Sequence, residues 1–205
     1  MLLEVIEKCF EKKWCAKPNI SVQFRSIVRG EFGHKGQGLN IYYGWHTGIF
    51  GDYLIAVSDR HVVGLAFKSD KGRTATENNL FGSWQRASFL ESFSETEPYT
   101  LGLVEGACEI EILALGTQFQ IKVWEALLTV PLGEVVSYQR LASMVGVSRG
   151  ARAIGRAVAK NPLAWLIPCH RVIKLNGDLA GYRWGSSLKS ELLLIEKSKS
   201  KRYIK

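Results

Sequence analysis

The chain has 205 residues and a mass of 22.9 kDa, enough to bury a core without disulfide or metal staples. Its 46% hydrophobic and 22% charged content excludes extended disorder and collagen-like repetition, and no apolar run approaches the roughly 18 residues of a membrane span. The net charge of +8 is uneven: residues 1–112 hold 12 Lys/Arg against 14 Asp/Glu and residues 113–205 hold 15 against 5, a balance that points to nucleic acid ahead of an anionic membrane surface.

Met1 to Phe10 has a helical pattern, but Glu4, Glu7 and Lys8 interrupt what a secretory signal needs, so a cytoplasmic location is expected. Lys12-Lys13, Pro18 and the glycine-rich stretch from Gly30 to Gly38 make 1–38 a poorly packed lead-in. Three β-like runs follow, Leu39–Trp45, Tyr53–Val57 and Val62–Phe67, separated by turn signals of hairpin length, which predict an antiparallel meander. Thr76 to Phe93 has helical spacing, Ser94–Thr100 with Pro98 is expected as loop, and Glu109–Leu115 as a short strand or linker. Residues 39–112 thus form an α/β domain.

At Gly116 the character changes, and 113–205 form a second, mainly α domain. Thr117-Gln118-Phe119-Gln120 is a capping-box sequence that starts a helix ending near Pro131-Leu132-Gly133. Ser137 caps a short helix through Val145, Gly146 breaks it, and Ser148 caps another to about Lys160, a pattern that describes a helix-turn-helix. Counting 100° per residue, Arg149, Arg152, Arg156 and Lys160 share one face within about 60°, with Ala151, Ile154 and Val158 opposite. Small residues between them, Ala153, Gly155 and Ala159, allow close approach to a phosphate backbone.

After Asn161-Pro162, the apolar run Leu163–Ile167 is expected as a buried strand-like segment ending in Pro168-Cys169-His170-Arg171-Val172. A base beside a thiol can generate the reactive thiolate, but in a regular strand the two side chains diverge, so Cys169 and His170 cooperate only if the backbone is irregular there. Cys9, Cys15 and Cys108 complete no metal or disulfide framework, so neither metal nor cofactor is expected.

In order, the segments "GTQFQIKVWEAL", "GEVVSYQRLA", "ARAIGRAVAKNP", "IPCHRV" and "GDLAGYRWG" resemble the catalytic domain of the O6-alkylguanine-DNA alkyltransferases, also called methylated-DNA–protein-cysteine methyltransferases. The bacterial adaptive-response branch is the most similar, here without its zinc sensor and regulator module. The resemblance implies a ribonuclease H-like N-terminal domain, with an antiparallel sheet and a helix, before a helix-turn-helix domain. It implies single-turnover transfer of an alkyl group from O6-alkylguanine, and from O4-alkylthymine, in double-stranded DNA to Cys169, by a cytoplasmic monomer. His170 would deprotonate Cys169 through a water, oriented by Glu196, and so lower its pKa. Tyr138 and Arg152 would help extrude the base, with Arg149, Arg156 and Lys160 on DNA. Asn161 would brace the cysteine segment, and Tyr182, Arg183 and Val172 would form or support the base pocket. A non-catalytic helix-turn-helix damage sensor is the alternative, and a Cys–His hydrolase a third reading that leaves the basic helix unexplained.

Overall fold

The computed structural model describes residues 20–26, 36–105, 109–147, 150–179 and 181–200. The helical pattern of Met1–Phe10, the Ser148 cap, Arg149 and the other three cysteines lie outside these residues. The meander forms as expected: strands β2 (Asn40–Gly48), β3 (Gly51–Ser58) and β4 (His61–Phe67) run antiparallel. The β3–β4 turn needs a left-handed residue, and Asp59, with φ 52°, supplies it.

Four expectations for the first half require correction. The sheet is mixed, with six strands in the order β1-β6-β4-β3-β2-β5. Ile20–Ser26, inside the expected lead-in, is strand β1 and pairs in parallel, residue for residue, with β6 (Ile110–Gly116), which also runs parallel to β4. The period-two series Ile20, Val22 and Phe24 packs against the core, which is why this segment is drawn into the sheet. The helix expected over 76–93 is α1 (Arg73–Phe81); it stops at Gly82, and Ser88–Glu91 becomes edge strand β5, parallel to β2. The expected 94–100 loop is part of helix α2 (Phe93–Glu105), which carries Pro98 internally. Proline there removes one backbone hydrogen bond, but Thr96, Thr100 and Leu103 make a buried stripe that outweighs the loss. Gly44 lets α2 lie directly on β2, since a Cβ there would come within 2.4 Å of Thr96 Oγ1.

The second half follows its local signals more closely. Helix α3 (Gln118–Leu128) has its capping box formed in both directions, Gln120 N donating to Thr117 Oγ1 at 3.3 Å and Thr117 N to Gln120 Oε1 at 2.8 Å. Helix α4 (Tyr138–Met144) is capped by Ser137 and followed by Gly146 at φ 79°. Helix α5 spans Ala151–Ala159, with Gly150 at its N-cap position and no side-chain cap. The Trp124 indole of α3 donates to Ala157 O at 3.0 Å, fixing α5 across it. Leu163–Ile167 is buried as expected but turns instead of extending: it meets β4 through Leu65, and Trp165 sits at φ 65°. A 3-10 turn (Cys169–Arg171), a two-stranded parallel pair of β7 (Val136–Ser137) and β8 (Val172–Ile173), and helix α6 (Ser186–Ser200) complete the described chain. Among the described residues no helix is long and apolar enough to cross a membrane.

Candidate active site around Cys169

The backbone at Cys169 is irregular, as cooperation with His170 requires. Pro168 (φ −79°, ψ 62°) turns the chain into the 3-10 segment, where successive side chains diverge by about 120° in place of the opposed directions of a strand. Cys169 then lines a narrow cleft with Tyr138, Gly155, Val158, Tyr182, Arg183 and Lys189, while His170 reaches Glu196 on α6.

His170 and Glu196 are both fully buried. Glu196 is therefore interior, although it stands in the last turns of α6. His170 Nε2 lies 2.8 Å from Glu196 Oε1, and Arg171 grips the same carboxylate with Nε to Oε2 at 2.9 Å and Nη2 to Oε1 at 2.8 Å, its Nη1 donating to Val130 O at 2.6 Å. Burial pushes the Glu196 carboxyl up, but the hydrogen bonds and charge it receives outweigh that and hold it at about 2. Burial also holds His170 below its ordinary value despite Glu196. The consistent state is a neutral imidazole donating from Nε2, with Arg171 as the counter-charge of Glu196. That leaves the lone pair on His170 Nδ1, which is buried without a hydrogen-bond partner among the described residues. Nδ1 is thus the atom able to take a proton.

The thiol itself is not held ionised. Burial raises the Cys169 pKa, and the groups opposing the rise are the Asn161 hydrogen bond and the charges of Arg183 and Lys189, not the His170–Glu196 pair from which the family resemblance implies a lowering. A buried sulfur in this state needs a base at the moment of reaction. Burial, with the adjacent Cys169, also keeps the Tyr138 and Tyr182 hydroxyls protonated, so both can donate to a bound group. The Tyr182 hydroxyl is buried with no oxygen or nitrogen partner among the described residues.

Asn161 is almost fully buried at the end of α5; its amide donates to Ile167 O at 2.8 Å and Leu163 O at 3.2 Å, and its carbonyl accepts from Leu163 N. It ties the turn before Cys169 to the helix. Arg183 donates to Ala159 O and lies over the Trp184 ring. Val172 is buried, and its carbonyl accepts from Lys189 Nζ at 2.6 Å. Arg152, Arg156 and Lys160 are exposed on α5 outside the cleft, opposite Ile154, Ala157 and Val158. The apolar face therefore includes Ala157; Ala151, assigned to it from the wheel, is exposed.

Two residues were missed in the sequence. Arg171 follows His170 directly, but its role depends on a partner 25 residues away. Lys189 is 1% exposed and forms no ion pair with a carboxylate among the described residues. A signal existed: Lys189, Leu192 and Glu196 share one helix face, so a lysine interrupts an apolar stripe.

The family model for the DNA-binding domain of 6-O-methylguanine DNA methyltransferase matches residues 118–198. The chain is 34% identical over 167 residues to the inducible methylated-DNA–protein-cysteine methyltransferase of Bacillus subtilis, covering 76% of this chain and 91% of that protein. It is 35% identical over 176 residues to the bifunctional transcriptional activator/DNA repair enzyme Ada of Escherichia coli, covering 84% of this chain but only 50% of Ada. Among solved structures, Mycobacterium tuberculosis OGT in complex with DNA superposes with a TM-score of 0.59 at 31% identity, covering 77% of this chain and 94% of that one. With similarity running through nearly the full length of the Bacillus and Mycobacterium proteins, and with the cysteine cleft inside the matched domain, this chain belongs to the methylated-DNA–protein-cysteine methyltransferase family.

Proposed function

We propose that this chain repairs double-stranded DNA by moving the alkyl group of O6-alkylguanine, and of O4-alkylthymine, irreversibly onto Cys169. The observation that carries the reading is a buried thiol at the base of a tyrosine-lined cleft, backed by a buried His–Glu pair and flanked by an exposed basic helix face. Intact-mass measurement after incubation with O6-methylguanine duplex tests it: addition of one methyl supports it, and an unmodified chain refutes it.

In this reading α4 and α5 act as a helix-turn-helix within a C-terminal catalytic domain, and the sheet with α1 and α2 as a ribonuclease H-like N-terminal domain. Arg156 and Lys160, with Arg149, neutralise phosphates. The target base leaves the stack, at a cost of a few kcal/mol that Arg152 offsets by filling its place. Tyr138 and Tyr182 donate to the extruded base, and Arg183 bounds its pocket. His170 Nδ1 accepts the Cys169 proton through a water as sulfur attacks the alkyl carbon in line. The S–C bond forms as the C–O6 bond breaks, and the proton returned to guanine lets it leave neutral. Glu196 fixes the imidazole in the tautomer that can do this.

Arg152→Ala should slow repair of duplex O6-methylguanine by about tenfold or more, while removing each phosphate-neutralising charge should reduce the salt slope of DNA affinity by about 0.9. Unchanged repair by this variant would remove Arg152 from base extrusion. Lys189→Met deletes a buried cation whose field favours the thiolate. Carboxamidomethylation of Cys169 should become about tenfold slower at neutral pH and its pH midpoint should rise; an unmoved midpoint would make Lys189 only a packing residue.

A further inference from the structure

A second cavity, of about 410 Å³, plays no part in the chemistry above. It lies on the α2 side of the sheet, where His46 and Tyr53 are partners across the β2–β3 ladder and where Phe93, Thr100 and Leu103 come from α2. Trp165, in the turn that leads to Cys169, forms part of its wall. The volume falls within the roughly 300–1,000 Å³ of small-molecule sites, which favour such seams between packed units.

The lining specifies the ligand's chemistry. Trp45, Phe50, Tyr53, Phe67, Phe93 and Trp165 present aromatic rings, and among the described residues no Asp, Glu, Lys or Arg joins them. His46 is buried, its Nε2 hydrogen-bonded to Thr96 Oγ1 at 2.8 Å and its ring 4.5 Å from that of Phe93. Burial, against the opposing field of Glu97, holds it below its ordinary value and so neutral at pH 7. A charged ligand would lose hydration here without a counter-charge, whereas a flat neutral ring finds stacking and edge contacts. Phe93 is 55% exposed, a large apolar ring left in water where the cavity opens.

The position of Trp165 gives occupancy a route to the nucleophile. Its positive φ is a strained conformation for a non-glycine residue. The flanking Leu163 and Ile167 are held by Asn161, and Ile167 O accepts from Cys169 N at 2.7 Å. We propose that this cavity binds a small, neutral, planar aromatic or heteroaromatic molecule and that its occupancy alters the reactivity of Cys169 through the Trp165 turn.

Indole titrated into the full chain is the probe, followed by the side-chain N–H signals of Trp45 and Trp165 in proton–nitrogen spectra. Saturable shifts at both are expected. Phe93→Asp, at an exposed position at the start of α2, should weaken indole binding by about tenfold or more, and indole-3-acetate should bind the unmodified chain about tenfold more weakly than indole. At saturating indole, the rate of Cys169 carboxamidomethylation, read by peptide mass spectrometry, should change about fivefold or more. Absence of saturable shifts, or equal binding of indole by Phe93→Asp or of indole-3-acetate by the unmodified chain, would overturn the site, and an unchanged labelling rate at saturation would overturn the link to Cys169. The labelling needs no DNA, so this failure is distinct from failure of alkyl transfer.

Discussion

Cys169→Ala should still bind O6-methylguanine duplex but transfer nothing, and the unmodified chain should accept close to one methyl per molecule however much duplex is supplied. The thiol is 4% exposed and its removal leaves the backbone of the 3-10 turn able to form unchanged, so the DNA-facing surface of α5 is preserved. The stoichiometry follows from the product: a thioether has no proton to lose and is a poor leaving group. His170 and the two tyrosines offer proton transfer, not a second attack on carbon. Peptide mapping after incubation with excess methylated duplex checks both statements. Turnover beyond one equivalent, or the methyl on Cys9, Cys15 or Cys108, would sink the assignment.

Glu196→Gln should be the most destabilising conservative change at the site. The carboxylate receives hydrogen bonds from His170, from two nitrogens of Arg171 and, more weakly, from Gly133 N at 3.4 Å. Glutamine leaves the guanidinium without its counter-charge, a loss of about 3–5 kcal/mol in chemical denaturation. Adding Arg171→Met should recover part of it, since the pair is coupled. Where folded, the Gln variant should transfer methyl more slowly across neutral pH with duplex affinity little changed; normal single-turnover rates would reduce Glu196 to a structural anion.

The same carboxylate sets an acid limit on stability. Its value falls from 4.5 to about 2 on folding, so its contribution, about 3 kcal/mol, is fully present above 4.5 and is lost as pH falls through that interval towards 2. His170 acts in the same direction, because unfolding lets it take up a proton below about 6.5 that the folded site resists. The Gln variant should lose the lower step and keep the upper one.

Legibility in the sequence tracked the range of the interactions. The Thr117 capping box and the Ser137 cap could be read because donor and acceptor lie within one helical turn. The meander was legible because its turns are short. The strands β1 and β5 were not, and β6 was open between strand and linker, since register with a distant parallel strand leaves no local mark, and Pro98 masked a helix that exists only because sheet packing rewards its buried stripe. The site divides the same way. Cys169, His170, Asn161 and Tyr182 were reached through one specific motif series, and Cys169 and Tyr182 share a cleft, whereas the burial of Glu196 and the roles of Arg171 and Lys189 depend on where α6 docks.

The pairing of β1 with β6 bears on how the chain can be cut. Ile20–Ser26 covers one side of β6 along its full seven-residue length, and β4 touches only the start of the other side. A shortened chain begun at residue 39, where the glycine-rich composition gives way to β-like runs, would turn β6 into a bare edge with Ile110, Ile112 and Ala114 beside unpaired backbone groups. Such an edge is a template for strand exchange between molecules. The segment that looks most dispensable in the sequence thus protects the fold against self-association.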